Sequence, residues 1–114
     1  MKFYKIDDQV IISDKELSIG TLLTPNTTDA AGEKHVPVIT ISGNEVKVAV
    51  GSIEHPSLPE HFITFILLET NQGIQMKWGK PGAVPTATFT IAEGETVLAA
   101  YEYCNLHGLW KAEV

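Results

Sequence analysis

Five side chains in this sequence can be assigned to one metal site: its single cysteine and its four histidines. Cys104 and His107 lie three positions apart in Cys104-Asn105-Leu106-His107-Gly108-Leu109-Trp110, so a thiolate and an imidazole can reach one ion from a single short turn. A lone Cys-x-x-His is a weak signal. It gains weight because the other histidines also occupy compact contexts: Glu33-Lys34-His35-Val36-Pro37, His55-Pro56 and Glu60-His61-Phe62-Ile63. His55 and His61 flank a connection stiffened by Pro56 and Pro59 and can converge on the same ion. Taken alone, that pair reads equally well as exposed loop histidines.

The donor set restricts the chemistry. Structural zinc sites are closed tetrahedra rich in cysteine, and catalytic zinc takes three protein ligands plus water, so five donors exceed both. Imidazole suits iron, copper and zinc, while one thiolate adds strong electron donation along a single axis. Four imidazoles in a plane with an axial thiolate leave the opposite position open. Such a site is a redox centre with one vacancy for a small oxygen species.

The remaining composition fixes the setting. A chain of 114 residues is expected to form one domain and to bury most of its unfolded surface without a disulfide staple. One cysteine cannot form an intramolecular disulfide, which suits a reducing cytoplasm. The start, Met1 to Asp8, lacks the apolar core of a signal peptide, and the longest apolar run, Ile63 to Leu68 with Thr64 inside it, is too short to cross a bilayer. The formal net charge is −6, and the eight basic residues are lysines scattered along the chain, which argues against a nucleic-acid partner. A small anion meets a repulsive overall field and needs a local cation at its site. Lys34, beside His35, can supply one.

The elements that must position these residues read as strands. Met1 to Leu23 carries short apolar groups broken by acidic and serine residues, as in a hairpin or edge strands, and Thr24 to Gly32 is a loop by composition. Val36 to Ile41 and Val46 to Val50 form a hairpin about Ser42-Gly43-Asn44-Glu45, with Gly43 suited to positive φ. Pro37, which has no N–H to donate, belongs at a strand start or edge. His61 to Glu69 and Ile74 to Trp78 form a second hairpin around a three-residue loop, Asn71-Gln72-Gly73. Thr86 to Ile91 alternates polar and apolar residues, Glu93-Gly94-Glu95 turns, and Thr96 to Tyr103 runs into Cys104. Short strands at this spacing predict an all-β, antiparallel sandwich. Trp78 and Trp110, at strand ends, read as core or interface residues, and Tyr101 and Tyr103 as packing on one side of the last strand.

The motifs around the five donors resemble the iron domain of superoxide reductases, the family of the neelaredoxins and the C-terminal domain of desulfoferrodoxins. The resemblance runs from about Asn26 to Lys111. It implies an immunoglobulin-like sandwich and one mononuclear iron per chain, held by His35, His55, His61 and His107 in the equatorial plane and by Cys104 on the axis. It implies that Lys34 attracts superoxide and helps protonate the product, that Glu33 ligates iron in the ferric state only, and that the Leu106 and His107 amides tune the Cys104 sulfur. The implied reaction takes superoxide, one electron and two protons to hydrogen peroxide without releasing dioxygen. Rubredoxin or a similar small protein is the implied electron donor, and a homodimer or homotetramer the implied assembly.

The resemblance also implies a division into residues 1–25, an extension or a degenerate remnant packed on the sandwich, and residues 26–114, the iron-binding domain. Desulfoferrodoxins carry an N-terminal centre held by four cysteines. None occurs in residues 1–23, so one iron is expected rather than two.

Two rivals come from other classes. A cupredoxin-like electron carrier is also a β-sandwich with a late Cys and His, but no methionine follows Cys104 to act as axial ligand, and two histidines are left over. A non-catalytic sandwich braced by a metal, or a binding module with none, gives Lys34 no chemical role.

Overall fold

The computed structural model describes every residue from Met1 to Val114. Its order is β1 (Lys2–Ile6), β2 (Gln9–Ser13), β3 (Thr21–Leu22), α1 (Gly32–His35), β4 (Pro37–Ser42), β5 (Glu45–Val50), β6 (Ile63–Thr70), β7 (Gly73–Trp78), β8 (Thr86–Thr90), β9 (Val97–Cys104) and β10 (Gly108–Glu113). These strands make three antiparallel sheets, ordered β2-β1-β3, β10-β9-β6-β7 and β4-β5-β8. The second and third face one another as the immunoglobulin-like sandwich, and the small first sheet covers the outer face of the second.

Period-2 patterning explains the inner core. In β5, Val46, Val48 and Val50 point inward while Glu45 and Lys47 face solvent. They meet Ala87, Phe89 and Ile91 from the β8 side and Ile63, Ile66, Leu68, Val97, Ala100 and Cys104 from β6 and β9. The β4–β5 turn forms as expected, with Gly43 at φ +59, a backbone conformation that favours glycine. Strands β6 and β9 are buried almost throughout, because both of their faces are covered. The second core joins Phe3 of β1 to Phe65, Leu67, Ala99, Tyr101, Tyr103 and Leu109. The larger of these side chains, such as Phe3, Phe65 and Leu67, each contribute about 1.5–3 kcal/mol of transfer free energy when fully buried, which fixes the small sheet to the large one.

Three features depart from the sequence pattern. The β6–β7 loop has two residues, Asn71 and Gln72, because Gly73 pairs with Thr70 at φ +144 and so belongs to the strand. The strand β10 follows the Cys-x-x-His turn and pairs with β9 from Gly108↔Cys104 to Glu113↔Ala99. The third departure is α1, a single helical turn that ends at Val36, whose extended backbone precedes Pro37. A register shift between Ile63 and Phe65 also bends the start of β6.

Candidate metal centre

All five donors come from one end of the sandwich: the turn before β4, the connection between β5 and β6, and the end of β9 with the turn that follows it. Hydrogen bonds hold these segments to one another. Ile53 N–H donates to the Glu33 carbonyl at 2.9 Å, and Asn105 bridges two loops, accepting from Phe62 N–H at 3.0 Å and donating to the Glu60 carbonyl at 3.0 Å. Gly51 lies against the α1 turn: a Cβ there would come within 2.7 Å of the Glu33 carbonyl oxygen. Only glycine permits that approach.

The geometry is a square of imidazoles beside a buried thiol. Neighbouring ring centroids are 4.7 Å apart for His35–His55, 4.6 Å for His55–His61, 5.1 Å for His61–His107 and 4.9 Å for His35–His107. The diagonal pair His35–His61 is 6.5 Å apart, with ring planes 28° from parallel. Neighbouring rings meet edge to face, so each turns one nitrogen to the centre. The candidate ligand atoms of all five residues lie within 4.8 Å of one another.

Outer hydrogen bonds decide which nitrogen faces inward. His35 Nδ1 lies 2.7 Å from the Ala31 carbonyl and His55 Nδ1 2.7 Å from the Pro56 carbonyl, so both carry their proton on Nδ1 and present Nε2 to the centre. His55 Nε2 is 3.5 Å from Cys104 Sγ. His107 presents Nδ1 instead, 3.1 Å from His35 Nε2 and 4.0 Å from Cys104 Sγ. His61 Nε2 is buried and has no hydrogen-bond partner.

The electrostatics favour a metal. Burial depresses the pKa of His35, His55 and His61, and that of His55 falls to about 4, so these rings stay neutral with a lone pair to give. Burial pushes the Cys104 thiol up, while the amides of His107 and Leu106 oppose the shift. A thiol held neutral beside four imidazoles, with an orphaned nitrogen among them, is what a site looks like when a cation completes it. The residues therefore fit a mononuclear metal with one thiolate and four imidazole ligands.

Glu33 and Lys34 lie on α1 directly ahead of His35, and both are exposed. The Lys34 charge reaches His35 and His61, where it depresses both pKa values. The Glu33 carboxylate is outside the ligand group. Met76, the sole methionine besides Met1, packs on the outer core, so no thioether joins the donors.

Two residues next to the site were not legible as part of it. Trp110 stacks on His35 at 4.9 Å and 25° and donates its indole N–H to the His107 carbonyl at 3.0 Å, so it orients two donors at once. Its position three residues after His107 was the available signal. Glu102 is fully buried with neither carboxylate oxygen bonded, and burial raises its pKa to about 9. Trp78, by contrast, is 76% exposed and belongs to no core.

A β-sandwich that gathers four imidazoles and a thiol at one end has the donor set of a mononuclear metal protein. Residues 27–113 match the desulfoferrodoxin family model. The desulfoferrodoxin of Clostridium acetobutylicum is 50% identical over 92 residues, covering 81% of this chain and 71% of the relative. The superoxide reductase of Thermococcus kodakarensis is 38% identical over 80% of this chain and 94% of its own. The crystal structure of the superoxide reductase from Treponema pallidum superposes with a TM-score of 0.85 at 37% identity, covering 99% of both chains. The chain belongs to the desulfoferrodoxin family, the family of the superoxide reductases.

Proposed function

We propose that the chain is a superoxide reductase, taking superoxide, one electron and two protons to hydrogen peroxide without releasing dioxygen. The observation that carries this reading is the square of His35, His55, His61 and His107 beside the buried Cys104 thiol. Iron is the metal these five residues would hold, and it supplies a one-electron couple between ferrous and ferric states.

The chain's own residues do the rest. The exposed ammonium of Lys34 reverses the local field of a chain with net charge −6, draws the anion in and stands ready to give a proton to the reduced product. The Glu33 carboxylate, on the same turn, would serve as a hard oxygen ligand for the ferric state. Ala31 and Pro56 hold two imidazoles in the right tautomer, and Trp110 holds the square together from behind His35 and His107.

A small one-electron carrier such as rubredoxin restores the reduced state, the lone thiol suits a reducing cytoplasm, and the working form is a homodimer or homotetramer. No helix is long and apolar enough to cross a membrane. Residues 1–25 form an extension or remnant laid on the iron-binding domain of residues 26–114.

The deciding experiment measures hydrogen peroxide formed per superoxide consumed by the reduced, iron-loaded protein, with dioxygen recorded in the same run. One peroxide per superoxide and no dioxygen is the expected result. Half that yield with dioxygen evolved means a dismutase. No acceleration over the uncatalysed reaction returns the question to an electron carrier or a structural metal.

A further inference from the structure

The net charge of −6 is unevenly spread. From Thr70 to Ala92 there is no acidic residue, yet that stretch holds Lys77 and Lys80 on either side of Trp78. Trp78 is the most exposed large apolar side chain of the protein, at 76%, and Val84 on the following loop is 64% exposed. Lys80 follows the indole on the next loop, and Lys77, on the opposite face of the edge strand β7, donates its ammonium to the Thr88 carbonyl; both cations therefore border the Trp78 edge of a protein that is otherwise acidic, as a docking face for an acidic partner requires.

What lies beneath Trp78 shows which partner. Trp78, Phe65 and Tyr103 stand in register in one row across β7, β6 and β9. The Trp78 ring meets Phe65 edge to face at 6.4 Å, and Phe65 stacks on Tyr103 at 5.9 Å and 12°. Tyr103 is joined by a single peptide bond to Cys104, the thiol donor of the metal centre. A contiguous aromatic row thus links the protein surface to the sulfur side of the site. Beside it a groove of about 480 Å³ has Phe65, Tyr103, Met76 and Ile12 among its walls and reaches Asn105, next to Cys104.

We propose that Trp78, flanked by Lys77 and Lys80, is the docking face for an acidic one-electron carrier protein, and that the Trp78–Phe65–Tyr103 row leads its electron to the Cys104 side of the centre. The inference rests on the superoxide reductase reading and adds a second door to it. The carrier loses one electron and the chain's metal gains it, with no proton or bond exchanged at this face. Lys34 and His35 mark the side that superoxide must reach. A carrier bound there would obstruct the substrate, whereas one bound at Trp78 leaves that side free.

The test uses the full iron-loaded chain and, as probe, a rubredoxin of negative net charge. Amide shifts on titration are expected to fall on residues 75–84 and on the groove, and affinity to weaken as salt is raised. Lys77→Glu combined with Lys80→Glu is expected to weaken binding about ten-fold or more at low ionic strength. Trp78→Ala, a change at an exposed ring, is expected to remove the fast phase of electron transfer from reduced rubredoxin to the ferric protein. The proposal is overturned if the doubly reversed variant binds unchanged, if the shifts centre on Lys34 and Leu106, or if sedimentation finds an oligomer that Trp78→Ala converts to monomer. Single-turnover consumption of superoxide by the pre-reduced wild-type protein is measured alongside. Its absence removes the superoxide reading and leaves the docking result standing.

Discussion

On one face of β9, Ala99, Tyr101 and Tyr103 pack against Phe3, Phe65 and Leu109; on the other, Ala100, Glu102 and Cys104 point into the sandwich. The first face is ordinary core, with the Phe3 and Tyr101 rings 4.7 Å apart and every polar tip able to reach the edge. Tyr101 does so, donating its hydroxyl to Glu69 at 3.2 Å. The second face becomes steadily worse as core: a methyl, then a carboxyl without a partner, then a thiol aimed at four imidazoles. One strand thus holds the fold together with one set of side chains and gives up stability with the other. The backbone that presents Cys104 is thus anchored from its far side by Tyr101 and Tyr103, both buried in the outer core.

Breaking the inner face at its functional end has the largest expected effect. Cys104→Ser replaces the thiolate by a poor ligand. It is expected to abolish the thiolate-to-iron charge-transfer colour of the oxidised protein and to cost more than about 100-fold in iron affinity, beyond what loss of an outer-shell partner costs. A variant that kept its colour would remove Cys104 from the site. Breaking the outer face comes next. Phe3→Ala empties a fully buried position, for which about 3–5 kcal/mol of stability is expected to be lost in denaturant unfolding. The transition is expected to remain single. A second, earlier transition would show that β1 to β3 fold as a unit apart from the sandwich.

Much of this was readable beforehand, for definite reasons. The site was legible because the protein has one cysteine and four histidines, so no surplus donors obscured the set. The β4–β5 hairpin was legible because Val46, Val48 and Val50 alternate with polar or small residues and Gly43 marks the turn. Glu102 was not legible. Between Tyr101 and Tyr103 it reads as the solvent side of a half-buried strand, and only the coverage of both faces of β9 buries it. The strand β10 was hidden because its first half, Gly108-Leu109-Trp110, doubled as the end of a ligand motif. For Trp78, read as core or interface, the structure removes the core alternative, because no second layer extends over this strand end.

Removing the weakness of the inner face sharpens the comparison. Glu102 carries a carboxyl that burial holds neutral, with its pKa raised to about 9 and no hydrogen-bond partner. Glu102→Leu removes an unpaired polar group at similar volume, so the metal-free protein is expected to gain about 1–3 kcal/mol in urea unfolding. A loss instead would mean that the carboxyl does find a partner, a bound water for instance, and that the inner face is better built than its protein contacts suggest.

The smallest effect lies at the opposite end of β9, where the strand begins. Glu95 accepts hydrogen bonds from the Thr70 hydroxyl at 2.5 Å and from Ala92 N–H at 2.8 Å, and these bonds, the Thr70 bond first, hold its pKa below 4.5. A folded pKa below the unfolded one means that the unfolded chain binds the proton more readily. The contribution of Glu95 is therefore present above pH 4.5 and is lost as pH falls from there through the folded value. Glu95→Gln is expected to lower the melting temperature slightly at neutral pH and to converge on wild type in acid. The metal-free protein is the right material, since acid does not then release a metal, and the difference between variants isolates Glu95 from His55, whose pKa burial lowers to about 4. Parallel curves for the two proteins down to low pH would show that the start of β9 is held by its packing alone. The strand would then owe its position to the aromatic face at both ends, and the hydrogen bonds at Thr70 and Ala92 would follow from that position instead of setting it.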